Sequence, residues 1–224
     1  MTRNNKRDQQ GQLQAPIGIF GGTFDPVHLG HLRAAEEVQS LLSLQKVIFV
    51  PCGTPALGKQ PHATAEQRLQ MVLLATKGLA GFTVDRYEVD QPGPSYAYDT
   101  LRYLRSVYAE APLCFIVGVD AFLQFEKWHR WQELFDLAHF VVMQRPGYSL
   151  PEQGNLPAWV RQRWADNPEA LHQSTHGCIF VCQITPHDIS ATAIRSRVAA
   201  AQKLEHLLPD RVQQYIADNS LYTN

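Results

Sequence analysis

The stretch Ile17-Gly18-Ile19-Phe20-Gly21-Gly22-Thr23-Phe24-Asp25-Pro26-Val27-His28-Leu29-Gly30-His31 places two histidines three residues apart, just after a glycine pair and where a helical pattern opens. Imidazoles at that spacing lean from one helical turn over the same point. Gly21 and Gly22 have no Cβ, so a polyphosphate can approach their amides closely, and the first turn of the following helix adds unpaired N–H groups and a favourable dipole. Gly30, between the histidines, is expected to keep the helix surface low enough for a nucleotide to lie on it. This arrangement suits the binding of phosphates and the neutralisation of charge that develops on them.

Holding those residues takes a strand before the glycine pair and a helix after it. Leu32, Ala35, Val38 and Leu42 recur at helical intervals, and Lys46 to Val50 reads as a buried strand, so a βαβ unit carries the phosphate loop at its crossover. A Pro/Gly-rich loop, residues 51–62, leaves the second strand, and Gly53 and Gly58 are expected to make it pliable. Thr64 with Gln67 forms a capping-box start for a helix continued by Leu69, Val72, Leu73 and Thr76. Phe82 to Tyr87 reads as a short strand, and Ser95 is expected to cap a helix that turns Leu101 and Leu104 inward. Leu113 to Val117, His139 to Met143 and Cys178 to Ile184 read as strands, with Arg145-Pro146-Gly147 ending the second of these. Residues 147–177 are mixed, with a short amphipathic helix around Pro157 to Trp164, and further helices start from Ser190 and Pro209. The alternation predicts an α/β fold: a Rossmann-like, mostly parallel sheet with helices on both faces and a small C-terminal helical part at about 189–224. A single domain over residues 16–224 is expected behind a disordered tail, residues 1–15.

The chain has 224 residues, 45% of them hydrophobic and 18% charged, which suits one domain with a full core. A net charge of -1 argues against a nucleic-acid-binding face, so basic groups are expected to act locally on small anions. Cys52, Cys114, Cys178 and Cys182 show neither C-x-x-C pairing nor zinc-like spacing, and reduced thiols are expected, with no protein-held metal. The N-terminal residues lack an apolar leader and no apolar run is long enough to span a bilayer, so the expected setting is the cytoplasm, away from membranes.

Gly22-Thr23-Phe24-Asp25-Pro26-x-His28-x-Gly30-His31 resembles the signature of the H-x-G-H nucleotidyltransferases, and Ile189-Ser190-Ala191-Thr192-x-Ile194-Arg195 resembles their I-S-S-T-x-I-R element. Pro94-Ser95-Tyr96-Ala97-x-x-Thr100-Leu101, Phe115-Ile116-Val117-Gly118-Val119-Asp120, Trp128 and Gln144-Arg145-Pro146-Gly147-Tyr148 are similar to the bacterial nicotinate-nucleotide adenylyltransferase family within it. The likeness runs from about residue 16 to the C-terminus. It implies adenylyl transfer from ATP to nicotinate mononucleotide in NAD biosynthesis, with magnesium carried by the ATP, and a monomer or small homo-oligomer. Rival readings are another H-x-G-H enzyme, such as pantetheine-phosphate adenylyltransferase or a cytidylyltransferase, and a nucleotide-binding regulator without turnover.

Carried over residue by residue, the resemblance implies that His28, His31 and Arg195 are catalytic, and that Gly21, Gly22, Thr23, Phe24, Ser190 and Thr192 bind ATP and its phosphates. Gly118 and Asp120 fall at a ribose or dinucleotide site; Asp120 either accepts from ribose hydroxyls or caps a helix. Tyr96, Ala97 and Trp128 form the nicotinate pocket, where Trp128 stacks on the pyridine or else fills the core. Two positions depart from the family pattern. Where the family places P-P-H-[KR], this chain has Pro55-Ala56-Leu57-Gly58, with Lys59 and His62 the nearest substitutes and Lys59 expected to supply a mobile phosphate contact. Ala97 replaces the usual threonine.

Overall fold

Residues of a strand alternate between the two faces of a sheet, and in this chain both halves of the alternation are apolar. The computed structural model, which describes residues 14–57, 60–144, 150–151 and 153–223, has β1 (Ile17–Gly22), β2 (Lys46–Pro51), β3 (Thr54–Pro55), β4 (Phe82–Val84), β5 (Pro94–Ser95), β6 (Leu113–Gly118), β7 (His139–Gln144) and β8 (Ile179–Gln183). Six of them form one parallel sheet in the order β4-β2-β1-β6-β7-β8, and β3 pairs with β5. The α/β fold expected from the sequence is the fold observed. Its helices are α1 (Leu29–Leu41), α2 (Ala65–Thr76), α3 (Tyr87–Asp90), α4 (Ala97–Val107), α5 (Val119–Phe122), α6 (Ala158–Arg161), α7 (Ala191–Ala199) and α8 (Asp210–Asp218).

Phe20, Val47, Phe49, Cys114, Ile116, Val141, Met143, Phe180 and Cys182 point to one face, into a core shared with Val38 of α1, Val72 of α2, Ile194 of α7 and Ile216 of α8. Ile17, Ile19, Ile48, Val50, Phe115, Val117, Phe140 and Val142 point to the other, against Leu101 and Leu104 of α4 and the aromatic group around Phe125. β1 lies between β2 and β6, so the chain winds outward from it in both directions, and a crevice opens at the carboxyl ends of β1 and β6. Open parallel sheets bind their ligands at such a switch point.

The capping box at α2 forms as expected: the Thr64 hydroxyl accepts from the Gln67 N–H at 3.2 Å and the Gln67 amide oxygen from the Thr64 N–H at 2.9 Å. Among the boundaries that differ from the sequence reading, three go with a hydrogen bond that the sequence did not reveal. β4 stops at Val84, because the Asp85 carboxylate accepts the Tyr87 N–H at 2.8 Å and turns the chain into α3. The cap of α4 is Tyr96, not Ser95; the Ser95 hydroxyl instead accepts from the Gly53 N–H at 3.0 Å, tying the β3–β5 pair together. Cys178 precedes β8, and its N–H donates to His139 Nδ1 at 3.1 Å. All four cysteines are free thiols, and burial raises Cys52 to about 11 and Cys182 to about 12. The reading of Arg145-Pro146-Gly147 as a strand breaker and that of most of the N-terminal tail, residues 1–13, fall outside the described residues.

His139, fully buried at the start of β7, is held from both sides: Nδ1 accepts from Cys178, so Nε2 carries the proton and donates to the Ser174 carbonyl at 2.8 Å. Burial holds its pKa down at about 4, below the usual imidazole range. The folded protein therefore takes up this proton later than the unfolded chain on acidification, and stability falls as pH drops from about 6.5 to about 4, then levels off with respect to this group. Comparing urea unfolding of the parent and His139→Gln at pH 7 and pH 4 is expected to show roughly 3 kcal/mol more acid loss in the parent. Equal losses in the two proteins would contradict this account.

Candidate active site

β1 ends at Gly22, and the loop Thr23 to Val27 delivers the chain to His28, the N-cap of α1. The ring of Phe24 turns inward, 3% exposed, edge-on to Phe20 at 5.8 Å and to His31 at 5.1 Å. A Cβ on Gly22 would stand 2.9 Å from the Phe24 ring, so the second glycine of the pair makes room for that aromatic. Phe24 itself has a left-handed backbone, φ 51°, a strain that its packing holds in place. The Phe24 side chain is thus a floor beneath His31, and Thr23, exposed at the loop's crest, presents the outer surface.

His28 and His31 stack, ring centroids 3.7 Å apart and planes 23° from parallel. The His28 N–H donates to His31 Nδ1 at 3.2 Å, which leaves the ring proton of a neutral His31 on the far nitrogen, Nε2. His28 is buried at 3% exposure, while His31 is half-buried. The space over Gly30, expected to admit a nucleotide, is taken by His28: a Cβ there would meet His28 Nδ1 at 3.1 Å and Ile189 Cβ at 3.5 Å. Gly30 therefore seats the first histidine.

Asp25 fastens this loop to three other parts of the chain. Its carboxylate, 5% exposed, accepts from the N–H groups of His62 and Ala63 at 2.8 and 3.1 Å and from the Tyr222 hydroxyl at 2.8 Å. Its main-chain carbonyl accepts from Arg195 Nη1 at 2.6 Å. Burial, followed by the hydrogen bond to Asp25, pushes the Tyr222 hydroxyl above its usual range and keeps it protonated. Beneath the loop lies Arg68 of α2, 1% exposed, whose guanidinium donates to the carbonyls of Thr23 and Gly53 at 2.7 Å each and of Ala63 at 3.3 Å. Asp25, Arg68 and Tyr222 carried no assignment from the sequence; Arg68 sits on the apolar face of an amphipathic helix, and that misplaced charge was the available signal.

At Gly53 the loop after β2 is held rather than pliable. Gly53 donates to Ser95, accepts from Arg68, and would put a Cβ 2.1 Å from the Glu88 carbonyl oxygen. Leu57, where the family places its histidine, is 62% exposed. Gly58 and Lys59 lie outside the described residues.

Ser190 is the N-cap of α7, its hydroxyl accepting from the Ala193 N–H at 3.2 Å. Thr192 and Arg195 share the next turn, with Arg195 Nη2 donating to Thr192 Oγ1 at 3.2 Å. A cavity of about 240 Å³ opens between this turn and the chain before α2, lined by His62, Thr192, Arg195, Ser196, Ala199 and Tyr222.

At the other side of the crevice, Gly118 ends β6 and Asp120 folds back over it, Oδ1 2.5 Å from where a Gly118 Cβ would be. Asp120 is exposed and free to accept from a ligand. Tyr96 and Ala97 open α4, both half-buried. Trp128 is half-buried as well, packed edge-on to Phe115 at 6.1 Å and tilted on Phe125 at 5.2 Å, so it belongs to the core edge and still presents surface. His129, which the sequence reading passed over, joins the two elements, its ring 4.6 Å from that of Tyr96.

The chain is a nucleotidyltransferase of α/β fold: residues 19–197 match the cytidylyltransferase-like family, and it belongs to that family. The protein named probable nicotinate-nucleotide adenylyltransferase in Methylococcus capsulatus is 44% identical over 207 residues, which span 92% of this chain and 99% of the relative. That of Aeromonas hydrophila, with the same name, is 41% identical over 210 residues, 94% of this chain and 98% of the relative. In fold, the chain is similar to the Plasmodium falciparum nicotinic acid mononucleotide adenylyltransferase solved with NaAD, with a TM-score of 0.69 at 14% identity over 93% of this chain and 98% of the other.

Proposed function

We propose that the protein transfers the adenylyl group of ATP to nicotinate mononucleotide, giving nicotinate adenine dinucleotide and pyrophosphate in NAD biosynthesis. The observation that carries this reading is identity of 41–44% to relatives of that name across more than nine-tenths of the chain. In the reaction a phosphate oxygen of the mononucleotide forms a bond to the α-phosphorus of ATP, while the bond from that phosphorus to the bridging oxygen breaks and pyrophosphate leaves with the electron pair. The attacking group is already a phosphate, so the protein has to position and neutralise, and no covalent intermediate is needed.

The stacked histidines suit that task. His31, with Nδ1 engaged, offers its Nε2 proton to the α-phosphate oxygens, and His28 backs it. Arg195 and Thr192, held on Asp25 and on each other, receive the departing phosphates. In this reading the Gly118 amide and the Asp120 carboxylate take ribose hydroxyls, and the first-turn N–H groups of α4 beside Tyr96 and Ala97 bind the nicotinate carboxylate. Among the described residues no three His, Cys, Asp or Glu side chains gather as metal ligands; magnesium, in this reading, enters on the triphosphate oxygens and offsets their charge. Among the described residues no helix is long and apolar enough to cross a membrane. In this reading the reaction runs in the cytoplasm, where both substrates are dissolved.

Pyrophosphate release from ATP, measured across nicotinate mononucleotide, nicotinamide mononucleotide and phosphopantetheine, tests the assignment. A carboxylate accepts from two amides where a carboxamide turns a donor to one of them, so kcat/KM is expected to favour nicotinate mononucleotide by about tenfold or more. Equal or reversed preference would remove the pocket around Tyr96, Ala97 and Trp128, and release with phosphopantetheine alone would replace the function.

A further inference from the structure

The cavity between α7 and the chain before α2 is lined by the Arg195 guanidinium, the Thr192 and Ser196 hydroxyls and the His62 imidazole, all able to donate into it, and by the Tyr222 phenol, whose proton goes to Asp25. None of its lining side chains is a carboxylate, and the nearest one behind it, Asp25, is occupied by His62 and Ala63 N–H groups, Tyr222 and Arg195. Such a lining selects an anion with several oxygens.

His62 is anchored through its main chain. Its own N–H and that of Ala63 grip Asp25, the Ala63 carbonyl takes Arg68, and Thr64 caps α2 two residues on. The backbone is thereby fixed while the ring stays exposed on the cavity wall, 6.5 Å from the ring of Tyr222. Arg195 approaches from α7, its guanidinium already oriented by the Asp25 carbonyl and Thr192. Asp25 is thus the common mount of both walls: it holds the His62 main chain by its carboxylate and Arg195 by its carbonyl.

We propose that His62 is a substrate-contacting residue, its imidazole donating to the terminal phosphates of ATP, and to the pyrophosphate they become, from the wall facing Arg195. The proposal rests on the adenylyl-transfer reading for its substrate and gives a definite contact to a histidine that the sequence named only as one of two nearest substitutes in the loop. It also supplies a donor in the segment where Leu57 and Gly58 replace the family's histidine and basic residue, from a position fixed by hydrogen bonds rather than from a mobile loop.

Because the anchor is main-chain, His62→Ala leaves the Asp25 contacts in place, and its unfolding temperature is expected to match the parent's. Isothermal titration with inorganic pyrophosphate, in the absence of mononucleotide, is expected to give a Kd raised about five- to tenfold, the loss of one donor to a charged acceptor. In steady state the KM for ATP rises by a similar factor, while the KM for nicotinate mononucleotide stays within twofold. A pyrophosphate Kd and ATP KM both within twofold of the parent overturn the proposal, and so does an equal rise in both Michaelis constants, the mark of a generally loosened site. A parent protein that binds pyrophosphate but forms no dinucleotide would instead overturn the adenylyl-transfer reading, leaving the titration of His62→Ala to decide the anion contact by itself.

Discussion

His31→Ala is expected to lower turnover by about 10²–10³ while the protein still folds, the loss typical of one donor to a charged transition state. The ring is half-buried and its Nδ1 accepts from the His28 N–H, so the structural cost of removing it is small beside the kinetic one. His31→Gln is a sharper probe: its amide nitrogen reaches about as far as Nε2 and can donate, so part of the turnover is expected to return. His28→Ala is expected to lose turnover too, but with lower stability, since that ring is 3% exposed and fills the space above Gly30. The measurements are kcat at saturating ATP and nicotinate mononucleotide, paired with thermal unfolding of each variant. A folded His31→Ala protein with the parent's turnover would take catalysis away from α1.

Arg68→Leu is expected to cost about 3–5 kcal/mol of stability, because it removes from carbonyl groups of three segments at once the fully buried guanidinium that joins them. The guanidinium reaches Thr23 in the phosphate loop, Gly53 after β2 and Ala63 before α2, and a planar fork can serve all three where a single ammonium cannot. Arg68→Lys is accordingly expected to recover little of the loss. Burial already holds this arginine below its ordinary pKa range, a cost that its hydrogen bonds offset. Urea unfolding of the purified variant measures the effect, and a loss under about 1 kcal/mol would mean that the three carbonyls find other donors. Turnover is expected to fall as well, since the Thr23 crest and the His62 wall are both fastened through this residue and Asp25.

Much of this architecture is written in short-range patterns. The apolar runs at β1, β2, β6 and β7 are buried on both faces, so they read as continuous hydrophobic stretches and fall within a residue or so of the observed strands. The capping box at Thr64 and the N-caps at Ser190 and Pro209 were equally legible, because each is decided within a few residues of chain. His28 and His31 are likewise local: three positions on one turn are enough to bring their rings together.

Other features depended on partners far away in sequence. Ser95 has the composition of a helix cap, yet its hydroxyl goes to Gly53, because β5 pairs with β3 and leaves Tyr96 to open α4. Gly30 looked like an open floor for a ligand and became the seat of His28 once Ile189 closed over it. Gly53 looked like a hinge and is clamped between Glu88, Ser95 and Arg68. Arg105, a surface residue of α4 by its pattern, gathers the carbonyls of Leu137, Ala111 and Thr175 at 2.7 to 2.8 Å. The mounting of the candidate site belongs to the same class: Asp25 is met by Tyr222 197 positions away and by Arg195 170 positions away. A residue's own type and near neighbours determine where it can turn, cap or pack, so the sequence by itself determined the strands of the six-stranded sheet, most of the helices and the histidine pair, but not the short β3–β5 pair. Which donor satisfies which buried acceptor depends on chain segments meeting at the edge of the sheet, and only the tertiary structure decided that, since a carboxylate such as that of Asp25 accepts equally well from any N–H or hydroxyl the fold brings to it.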